Sequence, residues 1–236
     1  MSRQVVLDTE TTGLQTSDAH RIIEIGCIEL INRKFTGKHF HQYINPERKI
    51  DEGALAVHGI TEDFLLTKPV FSEVADEFLA FISGAELIIH NAPFDTGFID
   101  YEFSLLNKKM KPIAEYCRIT DTLVLARSMH VGQRNSLDAL CKRYNVDGTK
   151  RDLHGALLDA RLLAQVYLAM TGGQGSFFEG VQTEEAVEHQ LDEILAQPLR
   201  PTYLKVIAAT AEELAAHEQK LQKMAEKGKC LWLAQE

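Results

Sequence analysis

Four cysteines among 236 residues, Cys27, Cys117, Cys141 and Cys230 with no CxxC pair, are too scattered for a disulfide scaffold or a thiolate metal cage. They read as buried or idle thiols in a reducing compartment. Long hydrophobic runs are missing too: a stretch such as Leu87-Ile88-Ile89 falls far short of the ~20 apolar residues that cross a bilayer. The opening Met1-Ser2-Arg3-Gln4 leads into a strand-length run rather than an apolar secretory segment, so a cytoplasmic protein with no membrane partner is expected. Internal repeats are absent. Positive charge is in deficit, with a formal net charge of −9. That excludes a generic duplex binder, because such proteins draw much of their affinity from Lys and Arg on phosphates. The deficit is uneven: residues 118–151 hold seven Lys/Arg against three Asp/Glu, and residues 171–236 six against eleven.

What is present suffices for one domain of ordinary size plus an appendage. Strand-like runs rich in Ile and Val cover residues 4–8, 21–31 and 34–44, with Asn32-Arg33-Lys34 as a hairpin connection. A helix is predicted over 72–84, with Ser72 as its cap and Gly84 as its stop, then a short buried strand over 86–90. Further helices are predicted over 94–106, 121–129, 136–144 and 155–170. Strands as a meander, then strands alternating with helices, give an α/β class: a mixed sheet flanked by helices. Thr171-Gly172-Gly173-Gln174-Gly175-Ser176 reads as a linker. Beyond it lie an acidic amphipathic stretch at 184–196, a strand-like run at 204–208, and a charged helix to Lys227 opened by a Thr210/Glu213 capping box and stopped at Gly228. Leu231-Trp232-Leu233 forms an apolar tip. The expected organisation is a domain over 1–173, a linker over 174–182 and a small partner-binding tail over 183–236.

Three short motifs carry the chemistry: Leu7-Asp8-Thr9-Glu10-Thr11-Thr12-Gly13, His90-Asn91-Ala92-Pro93-Phe94-Asp95 and His154-Gly155-Ala156-Leu157-Leu158-Asp159. Asp8 and Glu10, two apart on a strand, point to one side of the sheet. Burying such a pair is costly unless a cation neutralises it. Asp95 follows the 86–90 strand at a helix start, where it serves either as a cap or as a third acid at the site end of a sheet. His154 and Asp159, five apart, fall about 140° apart on a helix and cannot share one stripe. The workable geometry puts His154 on the loop and Asp159 on the second helical turn, facing Asp8 and Glu10. Arg151 and Arg161 are the alternative neutralisers of Asp159. Three acids can hold divalent cations and the fourth can hold them through water, leaving His154 to take a proton. An all-oxygen carboxylate set suits two Mg²⁺ or Mn²⁺ ions better than zinc.

In this order and spacing the motifs resemble the DEDDh 3′–5′ exonuclease superfamily, whose fold is ribonuclease H-like. Val57-His58-Gly59-Ile60-Thr61, Asn135-Ser136-Leu137-Asp138-Ala139-Leu140-Cys141 and Ala169-Met170-Thr171-Gly172-Gly173 extend the resemblance to the proofreading subunits of bacterial replicative DNA polymerases. The resemblance implies that Asp8, Glu10 and Asp159 hold the ions, that Asp95 acts through water, and that His154 is the general base. It implies further that Ala54, His58 and Phe94 line the pocket of the terminal nucleotide. The family often carries an acid just before that Ala; here Glu52-Gly53 stands instead, so either could meet the 3′-hydroxyl. Gln174-Gly175-Ser176-Phe177-Phe178 resembles the peptide by which replication proteins dock on a sliding clamp, with Gln174, Phe177 and Phe178 as the contacts.

The leading expectation is an editing exonuclease acting on the single-stranded 3′ end of DNA. Its partners are a polymerase catalytic subunit bound by the tail, a sliding clamp and a small accessory subunit, with the polymerase delivering the strand that so acidic a chain grips weakly. An RNA-trimming enzyme of the same superfamily and a scaffold joining clamp to polymerase are the competing readings. His39 and His41 alternate on a strand and read as solvated.

Overall fold

A computed structural model describes residues 2–106, 110–148, 153–172 and 210–227. The chain opens with an antiparallel meander in which β1 (Arg3–Thr11) pairs with β2 (Ile22–Ile31), and β2 with β3 (Lys34–Tyr43). Asn32 and Arg33 link β2 to β3 at φ of 51° and 64°, the positive-φ pair that matches a two-residue hairpin to the twist of its strands. Then come α1 (Glu52–His58), α2 (Glu62–Leu65) and α3 (Phe71–Ile82), followed by β4 (Glu86–Ile89), which joins β1 in parallel. After α4 (Ala92–Leu105), β5 (Arg118–Asp121) adds in parallel to β4, and α5 (Thr122–Met129), α6 (Leu137–Tyr144) and α7 (Ala156–Thr171) complete the unit. The sheet order is β3-β2-β1-β4-β5, the mixed sheet flanked by helices expected from the sequence.

The strand parity of β1 sorts its side chains between two layers. Val5 and Leu7 enter a core shared with Phe71 and Phe78 of α3 and Phe98 and Phe103 of α4. The even positions face α7, as the bond from the Gln4 side-chain amide to the Tyr167 hydroxyl at 3.0 Å marks. Ten of the 16 residues of α7 are buried, the pattern of an enclosed helix rather than a surface one. Its start lies directly on β2. A methyl group at Gly26 would collide with the Ala156 carbonyl carbon and the Leu157 amide nitrogen, so only glycine lets the two backbones meet. Gly26 is the antiparallel partner of Asp8, and the contact therefore sets α7 beside the acidic end of β1.

Several local expectations need correction. α3 is entered from Val70, whose amide donates to Glu73 at 3.2 Å, and Ser72 lies inside it, because Phe71 must join the helix to reach the core. Asp159 falls in the first turn of α7 rather than the second. His41 is not solvated: its Nε2 lies 2.7 Å from Glu24. Helices α1 and α2 and strand β5 were not read from the sequence.

The chain divides into two units, Met1–Asp192 and Glu193–Glu236, with the break outside the described residues. In the second unit α8 (Ala211–Lys227) opens on the expected capping box, the Thr210 amide donating to Glu213 at 2.8 Å and the Glu213 amide to the Thr210 hydroxyl at 3.2 Å. Gln174, Phe177, Phe178, Arg151 and the Leu231-Trp232-Leu233 tip lie outside the described residues, as do the segments 184–196 and 204–208. Among the described residues no helix is long and apolar enough to cross a membrane.

Candidate active site

The centre forms where β1 runs on past the end of β4. Asp8 and Glu10 project from the last part of β1 toward α7, where Asp159 is 2% exposed. Oxygens of Glu10 and Asp159 and a ring nitrogen of His154 all lie within 4.8 Å of one another, the spacing of groups that can share one cation. His154 Nδ1 stands 3.3 Å from Asp159 Oδ2, with 42% of the imidazole exposed at the mouth.

Asp95 arrives from the other layer. Asn91, in the left-handed region at φ 64°, turns the chain out of β4, and Pro93 sits in the first turn of α4, where a missing N–H costs nothing. Thr9, of opposite parity to Asp8 and Glu10, donates its hydroxyl to Asp95 Oδ1 at 2.7 Å. Thus one strand supplies acids to one face of the sheet and a hydroxyl that fixes the third acid from the other.

Electrostatics shows how closely the acids crowd. Asp8 is pushed well above the usual carboxylate range, first by its enclosure and then by the charges of Asp95, Asp159, Glu10 and Glu24. Burial raises Asp95 to about 7, against the opposing hydrogen bond from Thr9. Enclosing an ionised carboxylate costs several kcal/mol. The ~0.3–1 kcal/mol supplied by a helix dipole at Asp95 or Asp159 does not offset that. Arg161 leaves α7 about 200° around the helix from Asp159. The donor set fits hard divalent cations, which would neutralise several acids at once.

His58 closes the other side. It is 4% exposed at the end of α1, and burial holds it below the usual histidine range. Its Nδ1 accepts from the Ile60 amide at 3.0 Å, and its Nε2, therefore the protonated nitrogen, has no partner. The Val57 carbonyl accepts from the His154 amide at 3.1 Å, which ties the His154 loop to α1. Ala54 is half-buried on α1, Phe94 is half-buried and packs on Phe98 with ring centres 5.0 Å apart, and Glu52 and Gly53 are exposed at the start of α1.

Two supporting residues were not anticipated. Asp121 caps two helices with one carboxylate, accepting from Asn91 and Ala92 at the start of α4 and from Leu123 and Val124 in α5 at 2.8–3.3 Å. Its place just before a helix was the available signal. Glu24 accepts from the Ala156 amide at 3.1 Å, a contact across the fold that no local pattern announces.

The exonuclease family (RNase_T) matches residues 5–167. The DNA polymerase III subunit epsilon of Escherichia coli (strain K12) is 53% identical over 242 residues, covering 99% of this chain and 98% of its own. That of Haemophilus influenzae is 50% identical over 243 residues, covering 98% and 94%. Among solved structures, Exonuclease X in complex with 5′ overhanging duplex DNA superposes with a TM-score of 0.56 at 27% identity, covering 73% of this chain and 93% of its own. The nuclease domain of 3′hExo, a DEDDh family member, bound to rAMP, superposes at 0.60 with 19% identity over 72% and 91%, a likeness of fold. The fold is ribonuclease H-like.

Proposed function

Because the chain belongs to the exonuclease family and, within it, to the DNA polymerase III epsilon subunits, we propose that it removes mispaired nucleotides from the 3′ end of DNA as 5′-monophosphates, editing for a replicative polymerase. The observation that carries this reading is the convergence of Asp8, Glu10, Asp95 and Asp159 on one centre with His154 at its mouth. Asp8, Glu10 and Asp159 hold two Mg²⁺ or Mn²⁺ ions, with Asp95 acting through water. Bound there, the ions supply Lewis acidity and neutralise charge at the scissile phosphate.

The protein groups divide the remaining work. His154 presents Nδ1 to Asp159, which leaves the Nε2 lone pair to accept a proton from the attacking water. His58 has a buried, unpartnered Nε2–H to offer the terminal nucleotide, while Ala54 and Phe94 bound its base and sugar. Glu52 or the backbone at Gly53, at the exposed start of α1, meets the 3′-hydroxyl.

Residues 1–173 form the nuclease domain, and residues 183–236 bind the polymerase catalytic subunit. Gln174, Phe177 and Phe178, in the linker over 174–182, dock on the sliding clamp, and a small accessory subunit joins the nuclease domain. A soluble cytoplasmic setting suits these partners.

The test uses the full chain on a primer carrying a 3′ mismatch. Mononucleotide release with Mg²⁺ and none with chelator is expected. Release that persists in chelator, or RNA degraded in preference to single-stranded DNA, would overturn the reading.

A further inference from the structure

Glu24 sits on β2 opposite Glu10, 2% exposed, in a centre already crowded with negative charge. Another enclosed acid there adds to the crowding of the cluster, and its charge is one of those that raise Asp8 above the usual carboxylate range. A residue so placed needs a compensating role, and its two oxygens show one. Oε2 accepts from the amide of Ala156, the first residue of α7, at 3.1 Å. Oε1 meets His41 Nε2 at 2.7 Å, and Tyr43 stands opposite Glu24 across the β2–β3 pair. His41 and Tyr43 are themselves fixed, their rings edge-to-face at 4.9 Å and Tyr43 likewise against Phe64 of α2.

Ala156 lies two residues after His154 and three before Asp159. Gly26 blocks any movement of the helix start toward the sheet, and Glu24 stops it moving away. On the far side of His154 its own amide is held by the Val57 carbonyl. The segment bearing both the imidazole and the last acid is thus clamped from α1 and from β2.

We propose that Glu24 is a positioning residue of the nuclease centre: by holding the Ala156 amide it fixes where His154 and Asp159 stand. The proposal rests on the reading of that centre given above. It makes reach, not charge, the property that matters. Glu24→Asp keeps the charge but withdraws the carboxylate by about 1.5 Å, beyond hydrogen-bond distance of the amide. Glu24→Gln loses the charge but keeps an acceptor in place.

The experiment measures kcat and KM for release from single-stranded DNA by the full-length chain and its variants, alongside thermal melting. Misplacing catalytic groups by about 1 Å costs up to ~100-fold, so Glu24→Asp is expected to lower kcat about 10–100-fold with KM changed less than about threefold, and Glu24→Gln to keep kcat within about threefold. Any other pattern overturns the proposal: both variants active, both impaired, or Gln impaired with Asp active. Should Glu24→Asp fail to melt cooperatively, His41→Asn replaces it, releasing Oε1 without shortening Glu24. A lowered kcat then upholds the clamp, and an unchanged kcat overturns it. Asp8→Ala, assayed beside them, separates the two claims. Activity in Asp8→Ala sinks the reading of the centre, whereas an inactive Asp8→Ala beside a fully active Glu24→Asp sinks only the role of Glu24.

Discussion

Asp95 carries the plainest conflict between stability and function. Its folded-state pKa of about 7 lies above that of an unfolded Asp, near 4. Its contribution to stability is therefore fully present below about pH 4 and lost as pH rises through about 7. Without metal, Asp95→Asn should melt several degrees above the unsubstituted protein at pH 8, the gap closing at pH 5; scanning calorimetry in chelator checks this. Mn²⁺ should then stabilise the unsubstituted protein more than the variant. His154→Gln should lower kcat by about 10²–10⁴-fold with a smaller change in KM, the range for loss of a general base, as steady-state kinetics on single-stranded DNA would read. At this scale the sequence was most legible where motif spacing maps directly onto strand parity, as for Asp8 and Glu10. It was illegible for Thr9 and Glu24, whose partners stand 86 and 132 residues away, and only half legible for Asp121, whose local cap could be read but not its bond to Asn91, 30 residues back.

Among the elements, α7 decides whether the centre assembles, and its seat on β2 is the weakest point to disturb. Gly26→Ala forces a methyl group into the Ala156–Leu157 backbone, which cannot yield as a flexible side chain would. It should destabilise by about 1–3 kcal/mol or more and cost activity as well, visible in urea melts and in nucleotide release. Asp121→Ala should remove caps from α4 and α5 together, at about 1 kcal/mol or more each, and lower the melting temperature by several degrees. The long elements were legible because periodicity needs length to show. β2 and α7 came within a residue or two of their observed bounds. Helices α1 and α2, of 7 and 4 residues, are too short to carry a period and are held by tertiary packing. The start of α3 was misplaced because burial of Phe71 outweighs the capping preference of Ser72.

The net charge of −9 fits a whole molecule that works as part of an assembly rather than by its own grip on DNA. If Gln174, Phe177 and Phe178 dock on the clamp as proposed, replacing them together by Ala should weaken clamp binding at least about tenfold while leaving nucleotide release unchanged, because none of them belongs to the proposed catalytic centre. A clamp pull-down run beside the nuclease assay checks it. Everything else depends on the acids gathering around cations. Crystals of the protein grown with Mn²⁺ and measured at the manganese absorption edge test that most directly. Anomalous peaks flanked by Asp8, Glu10 and Asp159, with His154 at the rim, are the predicted result; density that leaves those carboxylates without a manganese neighbour would contradict the account.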